Sequence, residues 1–156
     1  MSVLLLFCFL LGCVAGLRSL TAPAIVCWAA HLGWLHFAGT TLAFLGRPAM
    51  LIVITILAVA ELIADKLPKT PARTSLTGLT SRIVLGGGSG LVLSASVGGI
   101  LLLGAIAAII GALVGTFAGY NIRHSLVARV HLPDFAVALA EDLIAIAGGF
   151  LAVYYV

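Results

Sequence analysis

Apolar residues run in long blocks along this chain, and short polar segments separate them. A membrane-spanning helix needs about 20 apolar residues, and shorter runs can be tilted or re-entrant. The first block covers residues 3–17 and breaks at Arg18-Ser19, with Pro23 close behind. A second, short block covers 24–37 and contains His31 and His36. The third covers 48–64 and opens on Pro48, whose missing N–H costs nothing at the first position of a helix. A polar segment, 65–75, follows, with Pro68 and Pro71 as helix stops. Residues 76–120 are apolar for about 45 residues, roughly twice the bilayer core at ~1.5 Å per residue. That stretch must turn once, most simply around Ser94 to Gly99, giving spans near 79–95 and 99–120. Residues 121–133 read as a polar connection, and the last span covers about 134–154 with Tyr154 and Tyr155 as an interfacial anchor.

The pattern predicts an all-α, polytopic helical bundle of five or six spans in one membrane domain, 1–156. Basic residues orient it, because Lys and Arg accumulate on the cytoplasmic side. Lys66, Lys69, Arg73 and Arg82 flank the third-to-fourth connection, and Arg123 and Arg129 flank the fifth-to-sixth. Two spans separate these loops, so they share the cytoplasmic side and the C-terminus falls outside. If 17–24 is a real turn, the count is six, Arg18 is also cytoplasmic and only Arg47 lies on the wrong side. If 3–37 is one kinked or re-entrant unit, the count is five. Six spans would divide into halves 1–77 and 78–156, three each, which insert with opposite topology as in inverted-repeat transporters. Glu-Leu-Ile-Ala at 61–64 against Asp-Leu-Ile-Ala at 142–145 is the only sequence support for such a repeat.

Composition agrees with a bilayer as solvent. Hydrophobic residues make up 63% of the 156 positions and charged residues 8%, against about 25% charged in an ordinary soluble domain. The net charge of +3 sits beside apolar runs with no basic stripe and no interleaved aromatics, which argues against nucleic-acid binding. Residues 1–16 resemble a signal peptide in apolarity, but they lack a basic leader and precede further spans, so a first span is expected. Cys8, Cys13 and Cys27 have aliphatic neighbours and no CxxC spacing, and read as small buried hydrophobes.

Ionisable residues inside or at the edge of spans are the candidates for chemistry, because a charge there is costly and must face protein or water. Glu61 and Asp65 share one helix face four residues apart, and no basic residue stands three or four beyond Glu61. The partner of Glu61 must therefore come from another helix, and Arg18 and Arg82 are the expected counter-charges. Glu61 reads equally as part of an ion or substrate pathway and as one half of a structural ion pair. Asp65 and Lys66 read as interfacial residues, Arg123 and Arg129 as anchors. Glu141 and Asp142 are adjacent, so they point about 100° apart; one is expected to face the interior and the other the interface.

Gly104, Gly111, Gly115 and Gly119, with Ala108, form a small-residue face, and Gly86 to Gly90 reads GGGSG. Such faces bring membrane helices close together, within one chain or in a homo-oligomer. GGGSG lacks the Lys and the strand context of a phosphate loop. His31 and His36 are five apart and off one face, His124 and His131 lie in the polar connection, and neither pair predicts a metal site. No nucleophile constellation, cofactor motif or catalytic residue is recognisable.

AGLRSLTAP and ELIADKLP resemble motifs of a family of small bacterial membrane proteins, Domain of Unknown Function 4126. The matching positions are Ala15 to Arg18, Glu61 to Pro68, and Arg82 with Gly86 to Gly90; many members carry an aromatic where this chain has Leu20. The resemblance spans most of 15–90 and is looser beyond. It implies a multi-pass protein of the bacterial inner membrane and gives no mechanism. The expected function is a small transporter or channel for an ion or small solute, not an enzyme. Glu61, Arg18 and Arg82 would line the pathway, with Asp65, Glu141 and Asp142 beside them. The alternative is a membrane scaffold or accessory subunit whose charges are structural.

Overall fold

In the computed structural model, residues 1–37, 40–66 and 75–156 are described. Pro68 and Pro71, read as helix stops, and Lys69 and Arg73, read as topology signals, lie outside them. Among the described residues the regular structure is entirely helical. The helices are α1 (Ser2–Leu17), α2 (Thr21–His31), α3 (Pro48–Ala64), α4 (Leu76–Ser96), α5 (Leu101–Val130) and α6 (Asp134–Tyr154). A short 3-10 turn, Thr41–Gly46, leads into α3. Helices α4, α5 and α6 are long and apolar enough to cross a membrane, whereas α1 and α3 are apolar but shorter, at 16 and 17 residues.

Local signals set several boundaries. Pro48 stands in the first turn of α3. Ser75 caps α4, its hydroxyl accepting from the Gly78 N–H at 3.3 Å. Two boundaries differ from the sequence reading. The second block reaches only His31 as helix, because Gly33 adopts φ +77° and turns the chain. Helix α5 runs ten residues past the expected end at 120, through Asn121 to Val130. Polarity can mark an ionic contact or a membrane surface as well as a helix end, and residues 121–130 contain neither Gly nor Pro. The helix therefore continues to His131, at φ 58°, just before Pro133.

Helix α1 is the axis of the bundle and packs against α4, α5 and α6. Its seam with α5 is built from small residues on both sides. A Cβ at Gly111 or Gly115 would collide with the carbonyls of Phe9 or Cys13, and one at Gly12 or Gly16 with those of Ala108 or Ala112. The α4–α5 seam follows the same rule at Gly90, where a Cβ would lie 2.5 Å from the Gly104 oxygen. These close approaches run Gly12 to Ala108 and Gly16 to Ala112, so α1 and α5 are parallel. Contacts of Cys8 with Gly90 and of Arg82 with Gly16 make α4 antiparallel to them. Gly149 on α6 meets both Val14 and Ile25, while Arg18 meets Asp142 and Trp34 meets Phe150. Helix α2 thus returns antiparallel to α1, and residues 3–37 are two helices and a turn rather than one kinked unit.

The alternation brings the ends of α1, α3 and α5 and the starts of α2, α4 and α6 to one end of the bundle. All five acidic residues of the chain, Glu61, Asp65, Asp134, Glu141 and Asp142, lie there. The opposite end carries Trp34, Phe150, Tyr154 and Tyr155 in edge-to-face contact. Between the ends the outward surface is aliphatic, with Leu102, Ile106, Ile110, Val114 and Phe117 exposed along α5. A continuous apolar stripe of this kind is at home against lipid. The two halves 1–77 and 78–156 differ in build: the second helix has 11 residues in one and 30 in the other. Glu61–Ala64 closes α3 while Asp142–Ala145 lies well inside α6.

Candidate functional site

The turn between α1 and α2, residues 18–20, is where the charged end begins. Ending one helix and starting another within three residues frees carbonyls on one side and N–H groups on the other. Such groups usually point to water, yet here Arg18, Ser19 and Thr21 are all buried. Side chains from other helices satisfy them. Glu61, in the last turn of α3, accepts from the backbone N–H of Ser19 at 2.9 Å and of Leu20 at 2.7 Å, and also from the Ser19 hydroxyl. A carboxylate at the start of α2 also complements the positive end of that helix. On the other side, Arg82 Nε donates to the Gly16 carbonyl at 3.0 Å, joined by the Thr116 hydroxyl at 3.2 Å. A cation there complements the negative end of α1.

Arg18 is fully buried. Its Nε donates to Asp142 Oδ1 at 2.6 Å, its Nη1 pairs with Asp65, and its Nη2 lies 3.8 Å from Glu141 Oε2 without a hydrogen bond. Lys66 Nζ reaches the other Asp142 oxygen at 2.5 Å and the Leu62 carbonyl at 3.0 Å. Glu141 stands also 3.7 Å from Arg123 Nη1, and Arg123 grips Asp134 with two hydrogen bonds of 2.9 and 2.8 Å. These contacts form one chain of charge from the α3 terminus through α6 to α5. Among the described residues it contains four carboxylates, Asp65, Asp134, Glu141 and Asp142, and three cations, Arg18, Lys66 and Arg123. Removing a buried partner from such a set exposes the others to an unpaired charge in low dielectric, at about 3–5 kcal/mol.

The expected site residues therefore assemble at one end, with partners that spacing did not predict. Glu61 binds backbone N–H groups and Ser19 rather than Arg18 or Arg82, because the turn offers donors nearer than either guanidinium. Arg18 pairs instead with Asp65, Asp142 and Glu141. Asp65 and Lys66, read as interfacial, belong to the network. Glu141 and Asp142 both face Arg18, because a planar guanidinium presents donors in several directions and straddles two adjacent side chains. Arg123, read as an anchor, is a member too. Ser19 and Thr116 were not singled out by sequence; the one signal for Ser19 was its place just after a helix break. Gly86 and Gly119 are buried on the helix-packing faces of α4 and α5.

Two apolar cavities flank α6. One, of about 380 Å³, lies between α1 and α6 and includes Leu17 and Ile144. The other, of about 310 Å³, lies between α5 and α6; it shares Leu17 and Ile144 and reaches Arg123 and Glu141. Among the described residues no group of three or more His, Cys, Asp or Glu side chains is arranged to hold a metal ion. No family model, curated protein or solved structure matches this chain.

Proposed function

We propose that this chain is a small multi-pass membrane transporter or channel for protons or a monovalent cation, and that the ionic network is its closed cytoplasmic gate. The observation that carries this reading is a fully buried Arg18 faced by three carboxylates, Asp65 at the end of α3 and Glu141 and Asp142 on α6. A small cation at those carboxylates would compete with Arg18 and Lys66 and loosen the network. Asp65 and Lys66, part-exposed and in direct contact with Arg18 or Asp142, are the groups through which it would open. Intramembrane charges face protein or a watery path, and the cavity that reaches Glu141 gives that residue a route outward. By the positive-inside rule the charged end faces the cytoplasm, with both ends of α1–α6 on the opposite side of a bacterial inner membrane. In this reading the six helices make six passes, α2 being completed by residues 32–37.

The test is flux in proteoliposomes with a pH-sensitive dye inside and with sodium or potassium gradients. Lys66→Ala removes one clasp while leaving Asp142 bonded to Arg18, so it should raise flux several-fold above wild type. If wild type and Lys66→Ala are both as tight as empty vesicles for all three ions, the reading fails. A second reading, a non-transporting scaffold, is favoured by Glu61 accepting from, and Arg82 donating to, the backbone around the α1–α2 turn. Under that reading Glu61→Gln lowers stability or assembly and alters no flux.

A further inference from the structure

The cavity between α5 and α6 is open on the bundle flank rather than sealed, and Ala136 and Ala140 on its wall are exposed. Its α6 side runs from Ala136 to Ile144. Those eight steps cover about 12 Å along the helix, close to the ~15 Å depth of one leaflet's hydrocarbon. Its walls are almost wholly carbon, from Ile122, Leu126 and Leu132 besides the alanines. The one charged pair inside it is already matched, since Arg123 is bound by Asp134 and approached by Glu141.

The cytoplasmic mouth is different. Arg129 lies three residues beyond Leu126 and seven beyond Ile122, so it falls on the helix face that lines the cavity. It is exposed, and among the described residues it makes no hydrogen bond or ion pair. An apolar slot one leaflet deep with an unmatched guanidinium at its mouth has the outline of a phospholipid: chain inside, phosphate at the rim. Arginine suits that phosphate because its planar fork matches two oxygens at once.

We infer that the α5–α6 cavity is a binding site for an anionic phospholipid of the cytoplasmic leaflet, with one acyl chain in the slot and the headgroup phosphate on Arg129. This requires that the charged end meet a bilayer and is independent of whether the network conducts. Charge complementarity selects the occupant: the Arg129 guanidinium is exposed and has no internal partner among the described residues, so a lipid of net negative charge is preferred over a zwitterionic one.

The experiment uses the full chain, stripped of lipid, returned to vesicles of equimolar phosphatidylglycerol and phosphatidylethanolamine, and re-extracted in mild detergent. Native mass spectrometry then counts retained lipids. Wild type should keep phosphatidylglycerol in preference to phosphatidylethanolamine. Arg129→Gln should cut that preference about fivefold. Ala140→Phe, which fills an exposed wall of the slot, should remove bound lipid of both kinds without lowering the melting temperature. Equal retention of the two lipids by wild type overturns the proposal, as does an unchanged preference in Arg129→Gln. Displacement of the lipid by inorganic phosphate alone would show a phosphate site in which the slot plays no part, and would also overturn it.

Discussion

Two tight reversals stand at opposite ends of this bundle, and the chain makes them by different means. The α4–α5 reversal, at Val97–Ile100, is settled within its own few residues. Gly98 takes φ +66°, the Gly99 N–H reaches the Ser94 carbonyl at 2.8 Å, and the Gly98 N–H reaches that of Ala95 at 3.4 Å. This is the paired-bond helix ending that a left-handed glycine makes available, and Gly98 itself is exposed. The α1–α2 reversal is buried and has no glycine within it. Its N–H groups go to Glu61 on α3 and its last carbonyls to Arg82 on α4 and Thr116 on α5. One reversal can form before the bundle does; the other exists only once distant helices deliver their side chains. The charged end is therefore where local folding and tertiary assembly are one event, and disturbing it should act on several helices together.

The largest effect is expected at Arg18, which ties the turn to α3 and α6. Arg18→Ala takes the buried guanidinium away from Asp65, Asp142 and Glu141 together, and should lower stability by about 3–5 kcal/mol. Unfolding followed by circular dichroism in mixed detergent micelles measures it. Pairing Arg18→Ala with Asp142→Asn should recover a substantial part of the loss, because the neutral amide no longer needs a counter-charge. A double variant as unstable as the sum of its parts would mean that Arg18 acts by filling space, and the contrast between the two reversals would lose its electrostatic basis.

Glu61 comes next. Glu61→Ala leaves the Ser19 and Leu20 N–H groups without an acceptor in a part-buried setting, and should cost about 2 kcal/mol. Glu61→Gln keeps an acceptor oxygen and loses only the charge at the start of α2, so about half that loss is expected. Hydrogen exchange distinguishes the sites: Ser19 and Leu20 amides should exchange faster in Glu61→Ala, while Gly98 and Gly99 amides stay as they are. Equal acceleration at both reversals would show general loosening of the bundle instead.

The same contrast explains what could be read from the sequence. Helix α3 opens where Pro48 places it, and the α4–α5 turn at 97–100 overlaps the expected 94–99 window, because proline and glycine act on their own backbone. The break at Arg18-Ser19 was legible for a related reason, since polar residues interrupt an apolar run. The candidate residues were legible as a set, because charges near spans are few. Their pairing was not. That Asp65 would meet Arg18 across 47 positions, or that Lys66 would share Asp142 with it across 76, depends on which helix ends meet in space. Spacing along one helix says nothing about that. Glu61 was harder still, since its partners are backbone groups, which every residue possesses. The long tail of α5 is not legible from polarity, which marks a change of surroundings and not a helix end.

The smallest effect belongs to the locally made reversal. Gly98→Ala forces a side chain into a left-handed conformation and should cost about 1 kcal/mol. No neighbouring atom lies within 4 Å of the added Cβ, so strain is the whole of the effect. Gly98→Asn should cost less, because asparagine visits that conformation more readily than alanine. The ordering Gly, Asn, Ala in melting temperature tests the local account directly. Neither variant should alter exchange at Ser19 and Leu20, at the other end of the bundle. If Gly98→Ala instead destabilised as strongly as Glu61→Ala, the outer reversal would also have to depend on tertiary contacts, and the two ends would differ in chemistry without differing in how they fold.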